Sequence, residues 1–243
     1  MEYTLLIFIG FLSAFIGTLA GSGGLIGMPS MLLLGIPVHT AVAAAKFSNI
    51  FSSFSSFFYL LRKREIGLRD CLQTLPFGLA GGATGALLAN SIPEKAMTML
   101  AASLLVFALV ITMLKKPAET AGESGITPRL FPSIYFIGAY DGLFGPGQGT
   151  LLMYTFLNKG FNYIRAVAFS RFQTFISCFA SFTIYLAAGN FQLRPSLCLL
   201  TGSLLGAHLA VRAAGKINPR CLKRLLHGIT ILLIIQLSAR LLQ

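Results

Sequence analysis

Hydrophobic and polar positions along this chain fall in long blocks rather than in short amphipathic periods. Apolar runs occupy roughly 4–20, 41–61, 72–90, 96–114, 131–145, 166–188, 196–214 and 222–239. Each is close to the ~20 residues a helix needs to cross a bilayer, so each predicts a membrane-spanning helix. Two further apolar pieces are shorter and rich in glycine. The first, 21–34, reads Gly-Ser-Gly-Gly-Leu-Ile-Gly-Met-Pro-Ser-Met-Leu-Leu-Leu, and the second, 145–157, reads Gly-Pro-Gly-Gln-Gly-Thr-Leu-Leu-Met-Tyr-Thr-Phe-Leu. Neither is an ordinary span. A polar linker, 115–130, containing Lys115, Lys116, Pro117, Glu119 and Glu123, divides the chain into a first half, 1–114, and a second, 131–243.

Composition agrees with this reading. The 243 residues are 55% hydrophobic and 11% charged, whereas a soluble domain carries about 25% charged residues. So few charges cannot cover the surface of a water-soluble globule, which excludes a soluble enzyme. The start, Met1-Glu2-Tyr3-Thr4, lacks the basic region of a secretory signal, so the first run is expected to stay in the mature protein as a span. Cys71, Cys178, Cys198 and Cys221 form no CxxC pair and read as small buried apolar residues. No metal site and no cofactor is expected.

The halves are repeats. Adding 125 to a first-half position gives ungapped identities, among them Gly17/Gly142, Gly24/Gly149, Gly35/Gly160, Ser52/Ser177, Arg69/Arg194 and Gly81/Gly206. Charge then orients them. The net charge is +12, which in a soluble protein would suggest nucleic acid, but the basic residues sit in connectors between apolar runs. If the glycine-rich pieces do not cross, these residues divide evenly between the two sides and violate the positive-inside rule. If each piece crosses or folds back, one side collects Arg62, Lys63, Arg64, Arg69, Lys115, Lys116, Arg129, Lys159, Arg165, Arg212, Lys216, Arg220, Lys223 and Arg224. The other side keeps Lys95, Arg194 and Arg240. The expected fold is therefore an all-α integral membrane protein of two inverted repeats. Each repeat is a glycine-tipped broken helical hairpin plus three transmembrane helices, and both termini are non-cytoplasmic.

Candidate chemistry gathers at two kinds of position. The glycine clusters, with Gly21, Ser22, Gly23 and Gly24 in one half and Gly145, Gly147, Gln148 and Gly149 in the other, permit irregular backbone that lines a cavity. A helix interrupted there points backbone N–H groups at an anion. The alternative is small-residue helix packing, which is the expectation for Gly81 and Gly206. Lys46 and Arg171, equivalent under the repeat, are basic residues inside apolar runs. They either form a positive pocket between the halves or snorkel to the interface. Asp141 pairs with one of them, carries a coupling proton, or caps a helix or fixes a turn. Asn49, Ser48, Ser170 and Gln173 are uncharged donors for an anion's shell. His39 reads as a loop residue, and His208 and His227 as structural.

Enzymatic signals are weak. Ala20-Gly21-Ser22-Gly23 resembles the nucleophile loop of an intramembrane serine protease, yet no supporting histidine motif accompanies it. There is no phosphate-binding Walker loop.

Together, Gly17…Gly21-Ser22-Gly23-Gly24…Pro29 with Ala41-Val42-Ala43-Ala44-Ala45-Lys46, and Gly142…Gly145-Pro146-Gly147-Gln148-Gly149 with Ala166-Val167-Ala168-Phe169-Ser170-Arg171, resemble a known family. This is the sulfite exporter TauE/SafE family, also described as toluene-sulfonate-uptake-type permeases. The resemblance covers essentially the whole chain. It implies a multi-pass permease of the bacterial inner membrane that moves sulfite, organosulfonates or related small anions. Two departures touch the site: Ala44-Ala45 stands where members often carry Thr-Asn, and Tyr154 replaces a proline after the second cluster. The expected function is a secondary transporter for a small anion, with the lipid bilayer as environment. Proton coupling and homo-oligomerisation stay open, and nucleic acid is not a partner. A non-transporting subunit that anchors a partner enzyme and an anion channel are the alternatives.

Overall fold

The computed structural model describes residues 2–114, 125–213 and 231. The described residues are all-helical. In order they form α1 (Glu2–Ala20), α2 (Gly24–Leu33), α3 (Val38–Arg62), α4 (Leu68–Ser91), α5 (Glu94–Leu114), a 3-10 turn (Pro128–Leu130), α6 (Phe131–Leu143), α7 (Gln148–Leu157), α8 (Tyr163–Ala187) and α9 (Leu193–Ala213). The apolar run expected at 222–239 and most of the polar linker lie outside the described residues. So do Lys115, Lys116, Lys216, Arg220, Lys223, Arg224, Arg240, Cys221 and His227.

Both glycine-rich pieces become ten-residue helices, each entered through a break. Gly21 takes φ +75° just after α1, and Gly147 takes φ +83° just before α7. Only glycine adopts these left-handed values freely, so the chain can turn there without strain. The elements then repeat at the sequence offset. α3 and α8 are 25 residues each, with both bounds 125 residues apart, and α4 and α9 begin at 68 and 193.

Among the described residues four helices are long and apolar enough to cross a membrane: those spanning Tyr3–Ala20, Leu68–Ser91, Glu94–Ile111 and Leu193–Ala213. α3 and α8, about 37 Å long at 1.5 Å per residue, have the length to span but not that apolarity. They pack against each other, against α4 and against α9, so their polar residues face protein. Ser48 Oγ donates to Ser203 Oγ at 2.7 Å, Ser56 Oγ to the Ser52 carbonyl at 2.9 Å, and Ser181 Oγ to the Ser177 carbonyl at 2.6 Å. Hydroxyls satisfied in this way can replace apolar groups in a helix that is shielded from lipid.

α3 and α8 run antiparallel. Phe47 lies 5.3 Å from Phe182 and Phe57 5.0 Å from Phe172, ring centre to ring centre. Each of these contacts becomes the other when the halves are exchanged by the offset of 125. The outer helices follow the same exchange, with α1 on α9 and α6 on α4. Those pairs are close because their faces are small: a Cβ on Gly81 or Gly85 would overlap the Tyr135 or Ala139 carbonyl, and one on Gly206 the Phe11 carbonyl. The packing reading of Gly81 and Gly206 thus describes their place.

Contacts at the helix ends fix which connectors lie together. Arg165 Nη2, at the start of α8, is 3.3 Å from Asp70 Oδ2 at the start of α4. At the opposite end Asn190 Nδ2 donates to Asn90 Oδ1 at 2.7 Å. The first end carries Arg62, Lys63, Arg64, Arg69 and Lys159 on its connectors and helix ends, and the second carries Lys95 and Arg194. His39 is not a loop residue: it lies in the first turn of α3, its Nε2 3.1 Å from the Ile92 carbonyl. Pro37 sets the start of α3 earlier than the apolar run suggested, because its fixed φ pre-organises a helix entry. His208 is exposed on α9, Cys71 and Cys178 are buried, and Cys198 is only half-buried.

Gly85→Val should destabilise the protein by about 1–3 kcal/mol or more, since the α4–α6 contact has no room for a side chain. Gly125→Val, with nothing within 4 Å, should stay within about 0.5 kcal/mol of the parent. Thermal unfolding of the two variants in detergent checks the contrast.

Candidate functional site

The two hairpin tips meet inside the helix array. A Cβ on Gly149 would come within 2.6 Å of the Gly21 carbonyl oxygen, and one on Gly24 within 2.9 Å of Pro146 Cα. Ser22 Oγ bonds Thr150 Oγ1 across the junction, and Thr150 Oγ1 also donates to the Ala20 carbonyl at 3.0 Å. Other side chains serve the broken ends. Tyr163 Oη donates to the Leu19 carbonyl at 2.5 Å, Ser13 Oγ to the Gly23 carbonyl at 2.8 Å and Tyr140 Oη to the Pro146 carbonyl at 2.6 Å. Tyr185 Oη lies 3.3 Å from both the Gly142 and Leu143 carbonyls. The carbonyl ends of the breaks are therefore capped by protein. At the start of α2 the Leu25, Ile26 and Gly27 N–H groups donate to the Ser22 and Gly23 carbonyls, and at the start of α7 the Gln148 N–H donates to the Gly145 carbonyl; both starts carry the positive end of the helix dipole.

Beside these tips lies a buried ion pair. Lys46, on α3, is 1% exposed, and Asp141, near the end of α6, is 2% exposed. Lys46 Nζ is 2.7 Å from Asp141 Oδ1 and also donates to the Asp141 carbonyl. The other carboxylate oxygen, Oδ2, accepts from Ser177 Oγ at 2.6 Å and faces Cys178 Sγ at 3.5 Å. The lysine therefore does not snorkel; its charge is spent within the protein. A Cβ on Gly145 would come within 2.8 Å of both Lys46 Nζ and Asp141 Oδ1, so a side chain there would push into the pair.

A cavity of about 70 Å³ lies between the tips and the pair. A water needs roughly 10–15 Å³ measured this way, so the space suits a few waters or one small polyatomic ion. Of the residues singled out from sequence, Gly21, Gly23, Gly24, Lys46, Ser48, Asn49, Asp141, Gly145, Gly147, Gln148 and Gly149 line it. Gln148 opens α7; its Oε1 is 3.2 Å from Thr174 Oγ1, and its Nε2 is buried with no partner among the described residues.

Four candidates stand apart from the cavity wall. Ser22 is used in the tip junction. Ser170 Oγ donates to the Gly149 carbonyl at 3.3 Å, beneath the second tip. Gln173 Nε2 donates to Thr74 Oγ1 at 2.6 Å, tying α8 to α4. Arg171, 7% exposed, reaches Ser52 Oγ at 3.4 Å through Nη2 and leaves Nε without a partner. Lys46 and Arg171 thus occupy equivalent sequence positions in different surroundings. The difference is Asp141: its counterpart in the first half is Ile16, so only one repeat supplies a carboxylate.

Sequence reasoning passed over Ser177, Cys178, Thr150, Tyr163 and Tyr185. Ser177 was visible as the repeat partner of Ser52, and both hydroxyls now bond buried charges. Nothing in the sequence marks the two tyrosines, whose partners are backbone carbonyls far away along the chain.

With this geometry in view, comparison with known proteins is informative. The sequence model of the family described as sulfite exporter TauE/SafE matches residues 6–237. The chain belongs to that family. It is 33% identical over 208 residues to a probable membrane transporter protein of Haemophilus influenzae, covering 84% of this chain and 82% of that one. A probable membrane transporter protein of a Sinorhizobium species is 32% identical over 233 residues, 94% of this chain and 89% of the relative. In Escherichia coli the relative YfcA, also described as a probable membrane transporter protein, is 26% identical over 211 residues. This family member is accordingly a multi-pass membrane protein of the transporter kind, not an enzyme.

Lys46→Met or Asp141→Leu alone should destabilise the protein by about 3–5 kcal/mol, because each leaves one buried charge unpaired. The double variant should recover most of that loss. Unfolding measurements on the three variants, assembled as a double-mutant cycle, test the coupling.

Proposed function

We propose that this protein is a secondary transporter for a small anion such as sulfite or an organosulfonate, and that it works by alternating access between two inverted repeats. The observation that carries the reading is the cavity between the two glycine tips, flanked by the starts of α2 and α7 and walled by Lys46. The positive ends of two helix dipoles favour an anion over a cation. The cavity's size favours a small oxyanion or a short-chain sulfonate over a bulky one.

The antiparallel α3–α8 core and its exchanged aromatic contacts support a two-fold relation that reverses the second half. On this reading residues 1–114 and 131–243 are the two repeats, joined by a cytoplasmic linker at 115–130. The end bearing Arg62, Lys63, Arg64, Arg69 and Lys159 faces the cytoplasm of a bacterial inner membrane, and both termini face away from it. Rocking of one half against the other would open the tip cavity to each side in turn. The motive force is the anion gradient or a proton; Asp141 is the group that would take the proton, because neutralising it frees Lys46 for the substrate.

Purified protein in liposomes loaded with sulfite should show saturable counterflow of labelled sulfite. Lys46→Ala and Arg171→Ala, inserted normally, should each lower that flux by about tenfold or more. Unsaturable flux would point to a channel, and the absence of flux to a non-transporting subunit. Unchanged flux in both variants would sink the proposed pocket.

A further inference from the structure

Charge at membrane depth does not balance in this protein. Apart from His39 at a helix end, the buried charged side chains among the described residues are Lys46, Arg171 and Asp141. Asp141 has Lys46 Nζ at 2.7 Å and two further donors on its other oxygen, so its charge is matched. Arg171 stays protonated in any protein environment, and the one hydrogen bond from its guanidinium goes to a neutral serine hydroxyl. Its Nε, also buried, has no partner among the described residues.

Among the described residues no other carboxylate is paired with it. The chain holds seven acidic residues. Glu2 begins α1, Glu65 lies in the connector before α4, and Glu119 and Glu123 are in the polar linker. Asp70 bridges Arg165 at one end of the helix array. Glu94, at the other end, accepts from the Val38 N–H at 2.5 Å and lies 3.6 Å from His39. Among the described residues, two buried cations against one buried carboxylate leave one unit of positive charge.

We infer that the site selects its substrate by charge: the unit left over after Lys46 pairs with Asp141 is matched by a single negative charge, so monovalent oxyanions are carried and divalent ones of the same size are rejected. This rests on the transport reading above. A monoanion in the tip cavity brings the buried set to neutrality, whereas a dianion leaves it negative and must be stripped of more water on entry. The shape of the cavity does not make this distinction, because tetrahedral anions of either charge have nearly the same volume. The free Gln148 amide in the wall would orient either of them.

Methanesulfonate and sulfate form a matched pair of probes, similar in shape and different by one charge. In proteoliposomes the unaltered protein should carry methanesulfonate at least ~10-fold faster than sulfate at equal concentration. Arg171→Gln, which removes the leftover charge, should lose methanesulfonate flux, with folding verified by size exclusion and thermal unfolding. Asp141→Asn, which adds one unit, should raise sulfate flux relative to methanesulfonate. Sulfate carried as fast as methanesulfonate by the unaltered protein would overturn the charge rule and leave the transport reading intact. So would full methanesulfonate flux in folded Arg171→Gln. Flux of neither anion, sulfite included, would overturn the transport reading and the charge rule with it. Because the first comparison needs no variant, a substitution that fails to fold does not rescue the inference.

Discussion

Breaking a helix inside a membrane strands backbone groups where no water can reach them, and each stranded group costs several kcal/mol if left alone. Much of this structure answers that constraint. The carbonyls at the ends of α1 and α6 and within the breaks that follow are taken by Tyr163, Thr150, Ser13, Tyr140, Tyr185 and Lys46, drawn from five different helices. These partners hold the tips against each other, and the close approach they need explains the glycines at 21 and 149. The starts of α2 and α7, with the positive ends of their dipoles, flank the cavity. One local irregularity thus both organises the centre of the protein and provides its polar opening.

The ion pair is the second consequence of depth. A lone lysine at 46 would be expensive, so it is matched by a carboxylate held by two further donors. Arg171 has no such match. The repeat produced two equivalent cationic positions, but the surroundings have diverged: Asp141 has no acidic counterpart in the first half.

The central helices show why hydropathy alone under-reports the spans. α3 and α8 are long helices that fall short of the apolarity of a lipid-facing span, and their serines bond α9 and backbone carbonyls. A helix enclosed by protein escapes the requirement to be oily and can host donors at membrane depth. That enclosure depends on α1, α4, α6 and α9 packing closely through small residues.

The sequence by itself determined the all-helical membrane class, the family and the positions of the breaks. Block hydropathy, the 125-residue register and left-handed glycines are local or periodic signals, and they placed α2, α3, α7 and α8 within a few residues. It also singled out Lys46, Arg171 and Asp141, because a charge inside an apolar run stands out wherever the helix packs. Which partner Asp141 takes was decided only by the tertiary structure, since Lys46 and Arg171 were equivalent on paper. The same holds for Gln173 and Ser170, whose side chains are used in helix contacts, and for the tyrosines that cap the breaks. Those outcomes depend on which faces of helices distant in sequence come together, and a repeat register carries no information about that.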